Sequence, residues 1–194
     1  MTPAQSTAST VPALVLVDIQ QDYFPAGALP LVAPDAALAA ARTVLAAFRA
    51  RRWPIVHVQH RSTRPGATFL LPDTPGAAFH PGVAPEPGEP VVVKHFPNAF
   101  RETPLDDLLR QSGAGRLVLV GMMTHMCIDA TARAAFDLGW PVTVVADATA
   151  TRPLAFGGQT VPADHVQAAF LAALDGVFAR VVKAADWLKE LSPS

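Results

Sequence analysis

Residues 116–139, RLVLVGMMTHMCIDATARAAFDLG, begin as an apolar run and change into a helix-like segment. RLVLVG is rich in aliphatic and β-branched residues, which favour a strand. The segment from Asp129 carries alanines at helical spacing and is followed by Gly139, a residue that suits a helix end. This stretch therefore predicts a strand, a short turn and a helix. Cys127 lies at the transition, close to the expected helix N-terminus.

The same alternation recurs along the chain. Further apolar runs are PALVLVD (12–18), PIVHVQH (54–60), PVVVKHF (90–96), PVTVVADA (141–148) and residues 178–182, and helical segments are predicted over 36–50, 162–174 and 184–191. Apolar strands without polar alternation are typical of a sheet covered on both faces, and intervening helices supply its crossovers. We therefore predict an α/β protein with three layers and a mostly parallel sheet.

Length and composition narrow the class of protein. The chain has 194 residues, of which 51% are hydrophobic and 16% charged, with a net charge of −1. We expect one domain over residues 1–194, with a flexible N-terminus over 1–11. The charge balance argues against nucleic acid or an anionic membrane as partner, and no targeting signal or membrane span stands out. We therefore expect a cytoplasmic protein. Because the chain has a single cysteine, it cannot form an internal disulfide.

Three chemically complementary residues lie at predicted strand ends: Asp18, Lys94 and Cys127. In open parallel sheets, ligands bind beyond the carboxyl ends of the strands. Alone, Cys127 fits a small buried hydrophobe and Asp18 a loop or capping residue. Together they predict a nucleophilic site, in which Asp18 takes the thiol proton while Lys94 and the helix terminus stabilise an anionic sulfur.

Three segments carry a family resemblance: DIQQDYF (18–24), KHFPNAF (94–100) and GMMTHMCIDATARAAFDLG (121–139). In order and spacing they resemble the signature segments of the isochorismatase-like cysteine hydrolases. The resemblance implies a Rossmann-like α/β/α fold with a six-stranded sheet and a catalytic triad of Asp18, Lys94 and Cys127. It also implies a cis peptide between Met122 and Met123, and an oxyanion hole formed by the backbone amides of Met123 and Cys127.

The resemblance fails at the metal site of the nicotinamidases in this family. Their Asp-x-His pair corresponds here to residues 59–62, Gln-His-Arg-Ser, so the acid and the histidine are both missing. His57, His60 and His80 are the remaining candidate ligands, but His57 and His60 are three apart on a strand and point to opposite faces. We predict no metal and no cofactor.

Other residues are candidates for the substrate pocket. The predicted substrate-binding residues are Gln20, Phe24, His60, Phe96 and Phe100. Each has a structural alternative, since strand-end aromatics are often core residues. His125 is a further undecided histidine, and Asp147 and Arg152 are expected to pair with each other or across a subunit boundary. The long segment 62–89 is predicted to be an ordered lid, binding loop or oligomer contact.

These observations favour a metal-independent cysteine hydrolase that cleaves a C–N bond of a small amide through a thioester on Cys127. The alternatives are a vinyl ether hydrolase of the isochorismatase type, a nicotinamidase, and a non-catalytic oligomeric binding or thiol-sensing protein. The expected partners are a small-molecule substrate and further copies of the chain, as a dimer or tetramer.

Overall fold

The computed structural model describes residues 11–191. The strands are β1 (Pro12–Val17), β2 (Ile55–His60), β3 (Val91–Lys94), β4 (Arg116–Met122), β5 (Val142–Ala150), β6 (Leu154–Phe156), β7 (Gln159–Val161) and β8 (Arg180–Val182). The α-helices are α1 (Pro34–Arg51), α2 (Leu105–Gln111), α3 (Asp129–Asp137), α4 (Ala163–Leu174) and α5 (Ala184–Lys189). The expected flexible N-terminus, 1–11, lies outside the described residues apart from Val11.

Six strands form one sheet in the order β3-β2-β1-β4-β5-β8, and every neighbouring pair is parallel. Helices cover both faces, because successive side chains of a strand point to opposite sides. In β1, Leu14 and Leu16 pack with α1 and α5, whereas Val15 and Val17 pack with α2 and α3. The predicted three-layer α/β/α, Rossmann-like fold with a six-stranded sheet is confirmed.

Two elements differ from the sequence-based prediction. The pattern did not predict α2, because seven residues give too few helical repeats to be recognised. Residues after β5, for which no element was predicted, form the antiparallel hairpin β6-β7. Gly157 and Gly158 both have positive φ, as the two central residues of a tight hairpin turn require.

Gly121 allows β4 to approach β1 closely beside the polar strand ends. A Cβ at this position would lie 1.9 Å from the carbonyl oxygen of Val17, and the φ of +129° also disfavours a side chain. No helix between residues 11 and 191 is long and apolar enough to cross a membrane.

Candidate active site

The structure brings Asp18, Lys94 and Cys127 together at the carboxyl edge of the sheet. Lys94 Nζ lies 2.6 Å from Asp18 Oδ2 and 3.2 Å from Cys127 Sγ. Asp18 and Lys94 are fully buried, and Cys127 is 5% exposed. Asp18 follows β1, Lys94 ends β3, and Cys127 lies in a π-helical turn, Thr124–Ile128, between β4 and α3. The parallel sheet thus brings three segments that are distant in sequence together around one ammonium group.

Asp18 adopts a left-handed backbone conformation, with φ +53°. Its N–H donates to Val58 O at 3.0 Å, and its carbonyl accepts from Gln20 N at 2.9 Å. A residue with a Cβ loses about 1–2 kcal/mol in this conformation, and such strain persists where the surrounding structure holds it. These two hydrogen bonds therefore hold the backbone of Asp18 where the chain leaves β1. In this position the Asp18 carboxylate lies beside Lys94.

Burial and mutual contact shift the pKa values of Lys94 and Cys127. Burial opposes the charge of Lys94, but Asp18 and Cys127 outweigh it and raise the pKa of the ammonium. Burial raises the pKa of the Cys127 thiol well above its usual range, and the negative charge of Asp18 adds to this effect, against the opposing contribution of Lys94. The direction of this shift favours the neutral thiol of Cys127 beside the ammonium–carboxylate pair. The predicted thiolate stabilised by Lys94 stays a prediction.

His60 joins the site from β2, next to Lys94 in the sheet register. Its Nδ1 lies 3.0 Å from Lys94 Nζ. Burial and the charge of Lys94 lower the pKa of His60 to about 4. The neutral ring accepts from the ammonium through Nδ1, which leaves the proton on Nε2 as a donor.

Ligand atoms of Asp18, His60 and Cys127 lie within 4.8 Å of one another, as metal-binding groups do. However, the Lys94 ammonium contacts all three, so a cation already occupies their centre. His57 bonds Glu89 instead, at 2.7 Å, and His80 accepts from Gly82 N. These histidines do not converge with His60, and the donor set does not fit a metal ion.

The Gln20 side chain links two backbone segments, and this corrects its expected role as a donor to the substrate. Its Nε2 donates to His60 O at 2.9 Å and Ala77 O at 2.7 Å, and its Oε1 accepts from His60 N at 2.8 Å. Both amide hydrogens are thereby used by the backbone. The side chain joins the end of β2 to the long segment 62–89 and leaves no donor for a ligand.

The three predicted aromatic contacts lie in different surroundings. Phe24, 4% exposed, belongs to the core and packs on the His80 ring with centroids 4.3 Å apart, and its substrate contact stays a prediction. Phe100 is half-buried against the core on the opposite face of the sheet. Phe96 is half-buried beneath the guanidinium of Arg101, at 3.6 Å from the ring centre. Of the three, Phe96 lies nearest in sequence to Lys94.

Asp22 and Tyr23 were not predicted as part of the site. Burial raises the pKa of Tyr23, and the nearby Cys127, Asp18 and Asp22 side chains add to the effect. The Asp22 carboxylate accepts from Ala28 N at 3.0 Å and Leu70 N at 2.5 Å, which holds segment 62–89 against the site. Both residues lie inside DIQQDYF, and that proximity to Asp18 was the available signal.

A hydrogen bond between the side chains of His125 and Thr151 was also not predicted from the sequence. His125 Nδ1 lies 2.5 Å from Thr151 Oγ1, joining the turn before Cys127 to the end of β5. Burial and the charge of Arg152 lower the pKa of His125 to about 4, so the ring is neutral.

The peptide between Met122 and Met123 is cis.

The α/β/α fold thus carries a thiol, a carboxylate and an ammonium group together at the ends of its strands. Residues 12–186 match the model of the isochorismatase domain, and the chain belongs to the isochorismatase family of hydrolases. It is 45% identical over 177 residues to YddQ, an uncharacterized isochorismatase family protein of Bacillus subtilis, covering 91% of this chain and 98% of YddQ.

A solved structure and a further relative extend the comparison. A protein from Oleispira antarctica classed as an isochorismatase hydrolase superposes with a TM-score of 0.90 and 46% identity, over 94% of this chain and 98% of that one. The maleamate amidohydrolase of Pseudomonas putida is 35% identical over 156 residues, 73% of each chain.

Proposed function

We propose that this protein is a metal-independent cysteine hydrolase that cleaves the C–N bond of a small amide through a thioester on Cys127. The observation that carries the proposal is the position of Lys94 Nζ, bonded to the Asp18 carboxylate at 2.6 Å and to the Cys127 sulfur at 3.2 Å. The similarity to a maleamate amidohydrolase supports an amide as the substrate class.

The first half of the reaction transfers the acyl group to sulfur. As Cys127 Sγ attacks the carbonyl carbon, Asp18 takes the thiol proton and the C–S bond forms. Asp18 then delivers this proton to the substrate nitrogen, the C–N bond breaks, and ammonia or an amine leaves. Because the pKa shift of Cys127 favours a neutral thiol at rest, proton transfer to Asp18 accompanies the attack, and Lys94 stabilises the negative charge on sulfur as it develops.

The second half returns the enzyme to its starting state. Asp18 takes a proton from water, and the resulting hydroxide attacks the thioester carbon. The C–S bond then breaks to release a carboxylic acid, and Asp18 returns its proton to the sulfur, which restores the thiol and the carboxylate. In both halves the negative oxygen of the tetrahedral intermediate is bound by the backbone amides of Met123 and Cys127. Each donor of this kind is worth roughly 3 kcal/mol in the transition state.

The test compares Cys127→Ala with the wild type on a panel of small amides, nicotinamide and isochorismate. We expect wild-type turnover of an amide, a thioester adduct on the single cysteine by mass spectrometry after rapid acid quench, and loss of both in Cys127→Ala. Arg116→Met, a substitution at the exposed residue where β4 begins, at the opposite edge of the sheet from the site, serves as the control with full activity.

The alternative functions predict other results in the same assay. Turnover of isochorismate that persists in Cys127→Ala would establish vinyl ether hydrolysis without the thiol. A requirement for added divalent metal with nicotinamide would establish a nicotinamidase. No turnover on the whole panel, with no adduct, would favour a binding or thiol-sensing protein and would contradict the proposal.

We also propose that the chain forms a homo-oligomer through its exposed apolar residues. Phe156, at the tip of the β6-β7 hairpin, is 90% exposed, and Val177 and Phe136 are also exposed. Large exposed apolar side chains of this kind are typical of contact surfaces. We expect a dimer or tetramer by light scattering and dissociation in Phe156→Ser; a wild-type monomer would contradict the proposal.

A further inference from the structure

The Gln167 side chain joins helix α4 to the turn that carries Cys127. Its Oε1 accepts from the hydroxyl of Thr124, the first residue of that turn, at 2.7 Å. Its Nε2 donates to Thr149 Oγ1 at 2.8 Å and lies 3.3 Å from Ala146 O. The amide oxygen and both amide hydrogens are thus used within the protein. Gln167 therefore connects parts of the fold and has no donor left for a ligand.

The two threonine hydroxyls in this network are buried. Thr124 is 0% exposed and Thr149 5% exposed. The Thr149 hydroxyl accepts from Gln167 and passes its own proton to Ala146 O at 2.9 Å. The Thr124 hydroxyl donates to Gln167, and water cannot reach it to replace that bond. A buried network in which every group is satisfied rigidifies the segments that it joins.

Strand β5 is irregular where Gln167 contacts it. Its register with β4 shifts between the pairs Leu119–Val144 and Gly121–Thr149, so β5 contains extra residues there. Ala146, whose carbonyl contacts the Gln167 amide, is one of these extra residues. Irregularities of this kind are common beside active sites, where they redirect side chains. Gln167 thus links the irregular part of β5 to the turn that follows β4.

A second side chain of α4 contacts the same turn. Phe170 lies three residues after Gln167 and therefore on the same helix face. Its ring packs edge-on against His125, with centroids 5.9 Å apart. One face of α4 thereby contacts two successive residues of the turn, Thr124 and His125. Cys127 follows two residues later, so the position of its sulfur depends on this support.

We propose that Gln167 is a positioning residue of the active site. Through the Thr124 hydroxyl it holds the turn, and so it fixes where Cys127 Sγ lies. The turn must keep the sulfur 3.2 Å from Lys94 Nζ, an atom that belongs to a separate strand. A displacement of about 1 Å is enough to cost roughly 100-fold in rate. The effect on turnover rests on the proposed function, whereas the placement of the sulfur is testable without turnover.

A double-mutant cycle on thiol alkylation tests the placement without catalysis. Gln167→Met and Thr124→Val each remove one partner of the same hydrogen bond and preserve side-chain size. Iodoacetamide alkylation of Cys127 is followed at pH 8 by mass spectrometry of the folded protein. We expect each variant to react about 5-fold to 10-fold faster than the wild type, the factor expected for loss of one buried hydrogen bond, because a loosened turn exposes the sulfur. The double variant should react no faster than the faster single variant.

Two controls separate positioning from a loss of stability. Thr124→Ser keeps the hydroxyl and should react at the wild-type rate. Leu174→Ala removes core packing at the other end of α4, destabilises the fold and leaves the Gln167 contacts in place, so its alkylation rate should also stay near that of the wild type. Wild-type alkylation in Gln167→Met would overturn the inference. A double variant whose rate reflects the product of the two single effects, or an equal rise in Leu174→Ala, would overturn it as well.

The second measurement is turnover of the panel amide that the wild type hydrolyses. We expect Gln167→Met to lower kcat about 10-fold to 100-fold with KM little changed, since the nucleophile is displaced and the substrate contacts are not. Thr124→Ser and Leu174→Ala should keep kcat near the wild-type value. An unchanged kcat in Gln167→Met, or a rise in KM alone, would overturn the inference and leave the hydrolase proposal intact. Coupled alkylation rates with no wild-type turnover of any amide would support the placement and overturn the proposed reaction.

Discussion

Lys94 Nζ and Asp18 Oδ2 are 2.6 Å apart, and neither side chain reaches solvent. A buried ion pair is stable only while both partners are present, because either charge alone has lost its hydration. Cys127 shares this environment, since its sulfur lies 3.2 Å from the same ammonium. The pair therefore affects both the stability of the fold and the protonation of the nucleophile.

Lys94→Met is expected to lower both activity and stability. It leaves the Asp18 carboxylate buried without its counter-charge, a change that typically costs about 3–5 kcal/mol of unfolding free energy. Urea unfolding measures the loss, and Lys189→Met, which removes an exposed ion pair with Asp186, should cost no more than about 1 kcal/mol. The double variant Asp18→Asn, Lys94→Met should regain stability without regaining activity. A double variant as unstable as Lys94→Met would contradict the charge argument.

Asp18→Asn is expected to abolish turnover and yet make Cys127 more reactive. The negative charge of Asp18 raises the pKa of the thiol, so its removal lets Lys94 stabilise the thiolate. The rate of iodoacetamide alkylation at pH 8, followed by mass spectrometry of the single cysteine, should exceed that of the wild type. Slower alkylation would mean that Asp18 generates a thiolate in the resting enzyme.

Gln20→Leu is expected to destabilise the protein without changing substrate affinity in the folded fraction. The substitution removes three hydrogen bonds to the backbone of His60 and Ala77 and leaves buried polar groups unpaired, at a cost of roughly 2–4 kcal/mol. Chemical unfolding and KM are the two measurements, with Gln111→Leu at the exposed end of α2 as control. A large rise in KM with unchanged stability would restore Gln20 as a substrate ligand.

The unfolding free energy is expected to fall as the pH drops from about 6.5 toward 4. His60 and His125 have folded-state pKa values of about 4, below the usual value of 6.5 for histidine, so the unfolded chain binds more protons over this range. Each residue contributes stability that is present above pH 6.5 and lost as the pH falls through its folded pKa. Because both rings are partly exposed, solvent screening limits each contribution to about 1 kcal/mol. Urea titrations at pH 7.5 and 5 measure the loss. His125→Asn should reduce it, and an unchanged pH dependence would contradict the assignment of a neutral ring.

Gly76→Ala is expected to loosen segment 62–89. A Cβ at this position would lie 2.0 Å from Asp22 Oδ1 and displace the carboxylate that holds the amides of Ala28 and Leu70. Limited proteolysis should cut the segment faster than in wild type. In Gly82→Ala the nearest atom is the flexible Arg42 side chain at 3.1 Å, so cleavage should stay near the wild-type rate. Equal cleavage of the two variants would show that Asp22 does not hold the segment.

Short elements and side-chain environments were the features that the sequence predicted poorly. Helix α2 spans seven residues and the strands of the β6-β7 hairpin three each, lengths at which periodicity carries little information. Phe24 and Gln20 lie close to Asp18 in the sequence, and for that reason both were predicted to line the substrate pocket. Their burial and partners come from segment 62–89, whose path no local pattern specifies.

The apolar strands and the polar residues that end them were sufficient to specify the parallel sheet and to place Asp18, Lys94 and Cys127 at one edge. Strand periodicity is local, and the ends of parallel strands meet wherever the sheet forms. The protonation of Cys127 and the hydrogen bond between Thr124 and Gln167 arise only in the folded chain. Both depend on desolvation and on distances of a few ångströms between groups far apart in sequence, and these are set when the layers pack.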